Sequence, residues 1–178
     1  KLIQTAQELD HVVKDLNTIL ELKKNSDSNI TSVDLEIVMQ AVRKTLESEI
    51  VLSHATISTD FRQLDKLQTV KPYLDSILYN LISNAIKYRH PNRDPLIHVK
   101  TEQLQDEICL SVCDNGLGID LVAHREKIFN LYSRFHPQID GKGMGLYLIK
   151  TQMTTLGGRV EIESEVGSGT VFKVYFKG

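Results

Sequence analysis

The sequence predicts an α/β sandwich with a mixed sheet, preceded by one long helix, and three observations carry that reading. Residues 1–24 place Leu2, Ala6, Leu9, Val13, Leu16 and Leu20 at alternating spacings of four and three, which is a heptad seam. From Ile30 onward, strand-like and helix-like patterns mix without regular strand–helix–strand repetition, which disfavours a doubly wound parallel sheet. All ten glycines lie at or after Gly116, nearly all in four tight groups, so the special turns belong to the second half.

Each element follows from a local pattern. The seam over 1–24 needs a mate, because a lone helix of that length is marginal in water; an upstream helix or a second subunit is expected to supply it. The polar run "KKNSDSN" ends this helix and serves as a linker. "ITSVDL" reads as a short strand opening a helix over 35–52. "ATISTDF" and "KLQTV" read as short strands, and Pro72 suits the first position of a helix running to about Tyr88. "HPNRDP" is a turn before two alternating strands, "LIHVKTEQ" and "EICLSVCD". A short helix over 121–132, a loop and a helix over 144–156 follow. "RVEIESE" and "TVFKVYF" close the chain as a hairpin around "VGSG".

With 178 residues, 41% apolar and 25% charged, the chain has the makings of one sizeable soluble domain, or of one domain with an appendage. A net charge of -2 argues against a nucleic-acid or anionic-membrane surface as its main business. No apolar run approaches the roughly 20 residues that span a bilayer, and the first stretch is not a signal peptide. The chain starts without Met and reads as an excised piece, so a membrane anchor upstream is compatible with it. Cys109 and Cys113 sit four apart on one strand face, about 13 Å at ~3.3 Å per residue, too far for a disulfide. Two buried structural thiols in a reducing cytoplasm are expected.

Three stretches invite a chemical reading, each beside a bland one. "CDNGLGID" sets Asp114 beside Gly116 and Gly118, which suits either a working acid or a surface turn. "GKGMG" stands directly before a helix, where glycines let backbone N–H groups approach an anion, or simply form a flexible loop. Asn80 and Asn84 stack on one side of a helix with Lys87 beyond them. Asn is a poor helix former, so the pair suits a cation and phosphate oxygens better than a plain solvated face, which stays open.

"NLISNAIKY", "DNGLGID", "IFNLYSRF", "GKGMGLYLIK" and "GSGTVFKV" occur in that order. They resemble the asparagine box, the first glycine box, the phenylalanine box, the second glycine box and the final Gly-Thr turn of the ATP-binding domain of bacterial sensor histidine kinases. That domain belongs to a superfamily shared with gyrase B, MutL and heat-shock chaperone ATPases. The likeness covers about 30–178, and "LDHVVKDLNTILELKK" resembles the second helix of the kinases' dimerisation hairpin. It implies an α+β, two-layer Bergerat sandwich with helices on one face of a mixed sheet over 26–178, and part of the hairpin over 1–25.

The resemblance also implies roles. Asn84 is expected to ligate Mg²⁺ with Asn80 as its polar neighbour, Lys87 to reach a phosphate, and Tyr88 to lie along the adenine or ribose. Asp114 is expected to accept from the adenine amine, with Thr170 assisting through water, and Gly116, Gly118 and Ile119 to pass close to the base. Gly141, Lys142, Gly143, Met144, Gly145 and Leu146 are expected around the phosphates, with Arg134 swinging in from a lid. Superfamily ATPases carry Glu where Asn80 stands; Asn cannot take a proton at neutral pH, so transfer is favoured over hydrolysis. The implied acceptor is a histidine on the first hairpin helix, outside this chain, and His11 on the second-helix analogue reads as a surface residue. The implied partners are ATP, a response-regulator receiver domain and a second copy through the hairpin, in the cytoplasm. A nucleotide-gated interaction module, a superfamily-type ATPase and a free serine kinase of the anti-sigma type are the competing readings.

Overall fold

The structure is a computed structural model describing residues 30–133, 135, 136, 138, 139 and 143–178. The predicted helix over 1–25, with His11, and the site candidates Arg134, Gly141 and Lys142 lie outside the described residues.

Strand β1 (Ile30–Asp34) leads directly into α1 (Leu35–Thr45), and the junction is a side-chain cap. Asp34 accepts from the N–H groups of Glu36 at 3.0 Å and Ile37 at 3.2 Å, an arrangement that contributes about 1 kcal/mol. The helix expected over 35–52 is broken: α1 stops, and α2 (Glu47–Ser53) starts after Leu46, at φ -97° and ψ 14°. The bend leaves the Leu46 side chain in the core at 2% exposure while its N–H still reaches the Val42 carbonyl at 3.0 Å. Strands β2 (Thr56–Asp60) and β3 (Lys66–Val70) follow, then α3 (Lys71–Lys87), one residue earlier than expected, with Pro72 in its first turn.

Strands β4 (Leu96–Gln103) and β5 (Glu107–Asp114) fall on the alternating runs that predict them. The helix expected over 121–132 is confined to α4 (Leu121–His124) and a 3-10 turn over Arg125–Lys127. Ile128 plugs the core at 1% exposure, and Tyr132 has φ 63°, which no α-helix accommodates. Helix α5 (Gly145–Thr155) ends in a Schellman motif, in which Gly157 N–H donates to Thr154 O and Gly158 N–H to Met153 O. Strands β6 (Arg159–Glu165) and β7 (Gly169–Lys177) form the final hairpin.

The five-stranded sheet has the order β2-β4-β5-β7-β6; β2 runs parallel to β4 and every other pair is antiparallel, so the sheet is mixed as predicted. Strands β1 and β3 form a separate antiparallel ladder. Alternation sends Ile97, Val99, Ile108, Leu110, Val112, Phe172, Val174 and Phe176 into one core. Helix α3 covers it with Leu74, Ile77, Leu78, Leu81, Ile82 and Ile86, each apolar side chain stabilising by roughly 1.5–3 kcal/mol on full burial. Helices α1 and α5 add Val38, Met39, Val42, Ile149 and Met153 to the same layer. The opposite sheet face carries His98, Lys100, Glu161, Glu163 and Lys173. Both thiols are free, but only Cys109 is buried; Cys113, on the same sheet face, is exposed, which corrects the expectation of two buried thiols. No helix among the described residues is long and apolar enough to cross a membrane.

Candidate functional site

The site lies where β5 ends. Asp114 continues the alternation of Leu110 and Val112, so its side chain leaves the strand on the helix side of the sheet. It stands opposite Ile97 of β4 and Thr170 of β7. The chain then folds back, and Gly116 N–H donates to Asp114 Oδ1 at 2.7 Å. Leu117 N–H donates to the Tyr88 carbonyl at 2.9 Å, and Gly167 N–H to the Leu117 carbonyl at 2.7 Å. The loop is thus pinned to the end of α3 on one side and to the β6–β7 turn on the other.

Two glycines make that packing possible. A Cβ on Gly116 would stand 2.5 Å from the Tyr88 carbonyl oxygen and 2.8 Å from Asp114 Oδ1. Gly118 has φ +66°, and a Cβ there would fall 2.0 Å from the Glu165 carbonyl oxygen. Burial pushes the Asp114 carboxyl above its ordinary range, while the amides of Gly116 and Thr170 and the Arg93 guanidinium oppose that rise.

Thr170 is buried and belongs to a small hydroxyl network. Ser164 Oγ accepts from Ile119 N–H at 2.8 Å, donates to the Gly169 carbonyl at 2.8 Å, and lies 2.9 Å from Thr170 Oγ1. With the Ser164 proton committed to Gly169, Thr170 is the donor of the pair, so its hydroxyl oxygen keeps its capacity to accept. Two acceptors therefore stand side by side at the strand ends.

The second half of the site is built by α3 and α5. Asn80 and Asn84 are both half-buried, one turn apart. Asn80 Nδ2 donates to the Ser76 carbonyl at 2.8 Å, and its Oδ1 is turned to the start of α5, 2.7 Å from where a Cβ on Gly145 would be. Gly143 has φ +67°, with Ser133 O 2.5 Å from its Cβ position, so the loop at Tyr132–Ser133 packs directly on the segment that opens α5. Met144 is buried, and Leu146 packs on the core edge. Lys87 Nζ lies 5.5 Å from the centroid of the Tyr88 ring. His136 of the lid lies 5.5 Å from the same ring and 2.9 Å from the Gly118 carbonyl oxygen through Nε2.

The sequence-predicted residues thus fall into two groups. Tyr88, Asp114, Gly116, Gly118, Ile119 and Thr170 converge around the end of β5; Asn80, Gly143, Met144, Gly145 and Leu146 meet where α5 begins, with Asn84 and Lys87 on the stretch of α3 between. Sequence reasoning misses Arg93, Ser164 and the lid contact of His136. Each has a backbone partner far along the chain, which leaves no local pattern.

The arrangement suits a purine nucleotide. It offers acceptors at one end and, at the other, glycine-rich backbone opening a helix whose N-terminus favours anions. Gly116 and Gly145 let the backbone close directly on the Asp114 carboxylate and the Asn80 amide, which draws those two side chains and the two glycine segments into one site.

The sequence model of the family described as "Histidine kinase-, DNA gyrase B-, and HSP90-like ATPase" matches residues 69–178. Cyanobacterial phytochrome A of Nostoc sp. is 34% identical over 151 residues, which is 82% of this chain and 19% of that relative. The chain therefore spans about a fifth of that relative's length. Among solved structures, Acinetobacter baumannii histidine kinase AdeS matches with a TM-score of 0.78 at 20% identity, over 99% of this chain and 81% of that one. Histidine kinase ThkA, in complex with response regulator protein TrrA, matches with a TM-score of 0.71 at 22% identity, over 97% of this chain and 48% of that one. These structural likenesses are of fold.

Proposed function

As a member of the histidine kinase-, DNA gyrase B- and HSP90-like ATPase family, this chain is an ATP-binding catalytic domain of the sensor-histidine-kinase kind, and we propose that it transfers the γ-phosphoryl group of ATP to a histidine on a hairpin helix outside this chain. The observation that carries the reading is the position of Asp114, fixed by Gly116 N–H at the helix-side end of β5 and paired with Thr170. A carboxylate accepts but does not donate, so it takes the exocyclic amine of adenine and turns away a keto oxygen. Tyr88 borders the base or ribose, with Gly118 and Ile119 lining the loop beneath it. Lys87 reaches a phosphate, the backbone N–H groups of the segment that opens α5 receive the phosphates, and Gly141, Lys142 and Arg134 keep the phosphate roles that the resemblance implies.

Asn84 offers an amide oxygen to Mg²⁺, which when bound with the triphosphate neutralises charge on the transferring group. Asn80 is the residue that separates transfer from hydrolysis. Its Nδ2 is spent on the Ser76 carbonyl and its Oδ1 is not basic, so it cannot draw a proton from water. An imidazole nucleophile needs no such base. From the phosphohistidine, relay to an aspartate of a response-regulator receiver domain is the expected next step, and the capture of ThkA with TrrA supports it. We propose, on the resemblance, that the heptad seam over 1–24 serves pairing with a second copy through a hairpin.

The test mixes this chain with a hairpin fragment bearing the acceptor histidine and follows γ-labelled ATP. Acid-labile, base-stable label on the hairpin supports transfer. ATP binding without any such label assigns the chain instead to a nucleotide-gated interaction module.

A further inference from the structure

Arg93 sits in the turn between α3 and β4, exposed, and reaches across two other segments. Its Nε donates to the Asn115 carbonyl at 2.7 Å, and its Nη2 donates to the Gly116 carbonyl at 3.1 Å and the Gly167 carbonyl at 2.6 Å. The loop after Asp114 and the β6–β7 turn are thereby tied to one planar fork. The Asn115 side chain closes the same knot from the other direction. Its Oδ1 accepts from Leu96 N–H at 2.9 Å and its Nδ2 donates to the Asp94 carbonyl at 3.1 Å. Residues 93–96 therefore grip the two residues that follow the purine-reading acid.

We propose that Arg93 is a positioning residue for nucleotide recognition: it holds the Asn115–Gly116 backbone against the Gly167 turn, so that the Asp114 carboxylate is presented to the base in one ionised arrangement. The inference rests on the assignment of Asp114 as the purine reader. Gly116 sits where a small shift of the backbone would disturb the acid. The Tyr88 carbonyl and Asp114 Oδ1 already fill the space beside its Cα, and a recognition site tolerates only about 0.5 Å of misplacement.

Charge gives the device a second effect. All three Arg93 partners are neutral carbonyls, so its positive charge is left to act on a carboxylate. Burial raises the Asp114 carboxyl, and Arg93 is the charged group whose field opposes that rise. Among the described residues, other titratable side chains on bordering elements include Asp94 beside Arg93, Lys87 and Tyr88 at the end of α3, Cys113 on β5, His136 in the lid and Glu165 at the end of β6. Only the ionised form of Asp114 is a pure acceptor, so ATP binding is lost as pH falls through its pKa. Removing the Arg93 charge moves that acid limb to higher pH.

The experiment titrates a non-hydrolysable ATP analogue into wild type, Arg93→Gln, Arg93→Lys, Asp114→Asn and the Arg93→Gln/Asp114→Asn double variant between pH 4.5 and 8, with a melting curve for each. Arg93→Gln is expected to bind about tenfold more weakly at pH 7.5, the scale of one lost charge-assisted contact, with its acid limb shifted to higher pH. Arg93→Lys keeps the charge without the fork and is expected to be weaker with the limb in place. The double variant is expected to bind no worse than Asp114→Asn alone. Wild-type affinity and an unmoved limb in Arg93→Gln overturn the proposal. So does a loss uniform across pH that tracks a lowered melting temperature and adds fully to the Asp114→Asn loss, since that is a structural role. Wild-type binding by Asp114→Asn itself would bring down the purine-reader assignment first, and Arg93's role with it.

Discussion

Gly145 opens α5 directly against Asn80 of α3, with Asn80 Oδ1 2.7 Å from where a Cβ on the glycine would stand. The amide cannot simply rotate away, because its Nδ2 is bonded to the Ser76 carbonyl at 2.8 Å. Gly145→Ala therefore sets two small terms against each other. Losing the Asn80–Ser76 bond costs about 1 kcal/mol, while alanine in place of glycine in a helix returns up to about 0.5–1 kcal/mol. The melting temperature is expected to move by less than about 3 °C. Phosphoryl transfer to an added hairpin is expected to fall by about 10- to 100-fold, because the asparagine and the helix start proposed to receive the phosphates are displaced together. Unchanged transfer would separate this contact from function.

Asp114 sets function against stability. Burial raises its carboxyl above the ordinary range, with the Gly116 and Thr170 amides and Arg93 opposing. An acid with a raised folded-state pKa holds its proton more tightly when folded, so folding stability falls as pH rises from the unfolded carboxyl range, about 3.9, through the raised value. Above that window the penalty is complete. Asp114→Asn removes it while keeping an oxygen for Gly116 N–H. Without nucleotide, this variant is expected to melt at or above wild type at pH 7.5, with the difference shrinking toward pH 4. Melting scans across that range check it, and a variant melting well below wild type at pH 7.5 would refute the electrostatic account.

Ser164 makes three contacts with one hydroxyl, to Ile119 N–H, the Gly169 carbonyl and Thr170 Oγ1. Ser164→Ala leaves those groups without their partner, at a cost of about 1–3 kcal/mol. At about 2–4 °C per kcal/mol for a chain of this size, the loss is readable in a melting curve. It also frees Thr170 to turn its proton toward the ligand. Affinity for an adenine nucleotide is expected to drop more than affinity for free triphosphate, which competition binding separates.

Legibility in the sequence follows how local each determinant is. The ends of β4 and β5 coincide with the strictly alternating runs, and α3 with a wide apolar face beginning at a proline, because those signals lie within one element. The break at Leu46 and the truncation after His124 are set by what Leu46 and Ile128 bury against, which no nearby spacing encodes. Cys109 stands opposite Tyr175 of β7 and is buried, while Cys113 stands opposite Val171 and is exposed; alternation puts both on one sheet face without saying what covers each. Within the site, Asp114, Asn80 and the glycines announce themselves by unusual types in unusual places. Arg93 and Ser164 do not, since an arginine in a polar turn and a serine in an edge strand are ordinary until the fold brings distant carbonyls and amides to them.

The central claim, that Asp114 reads the amine of adenine, is tested most directly by comparing ATP with inosine triphosphate, which carries a keto oxygen in place of that amine, on wild type and Asp114→Asn. Wild type is expected to prefer ATP by about 10- to 100-fold, the worth of one hydrogen bond to a charged acceptor, and Asp114→Asn is expected to lose that preference. Equal binding of the two nucleotides by wild type, or an unchanged preference in Asp114→Asn, would contradict the account.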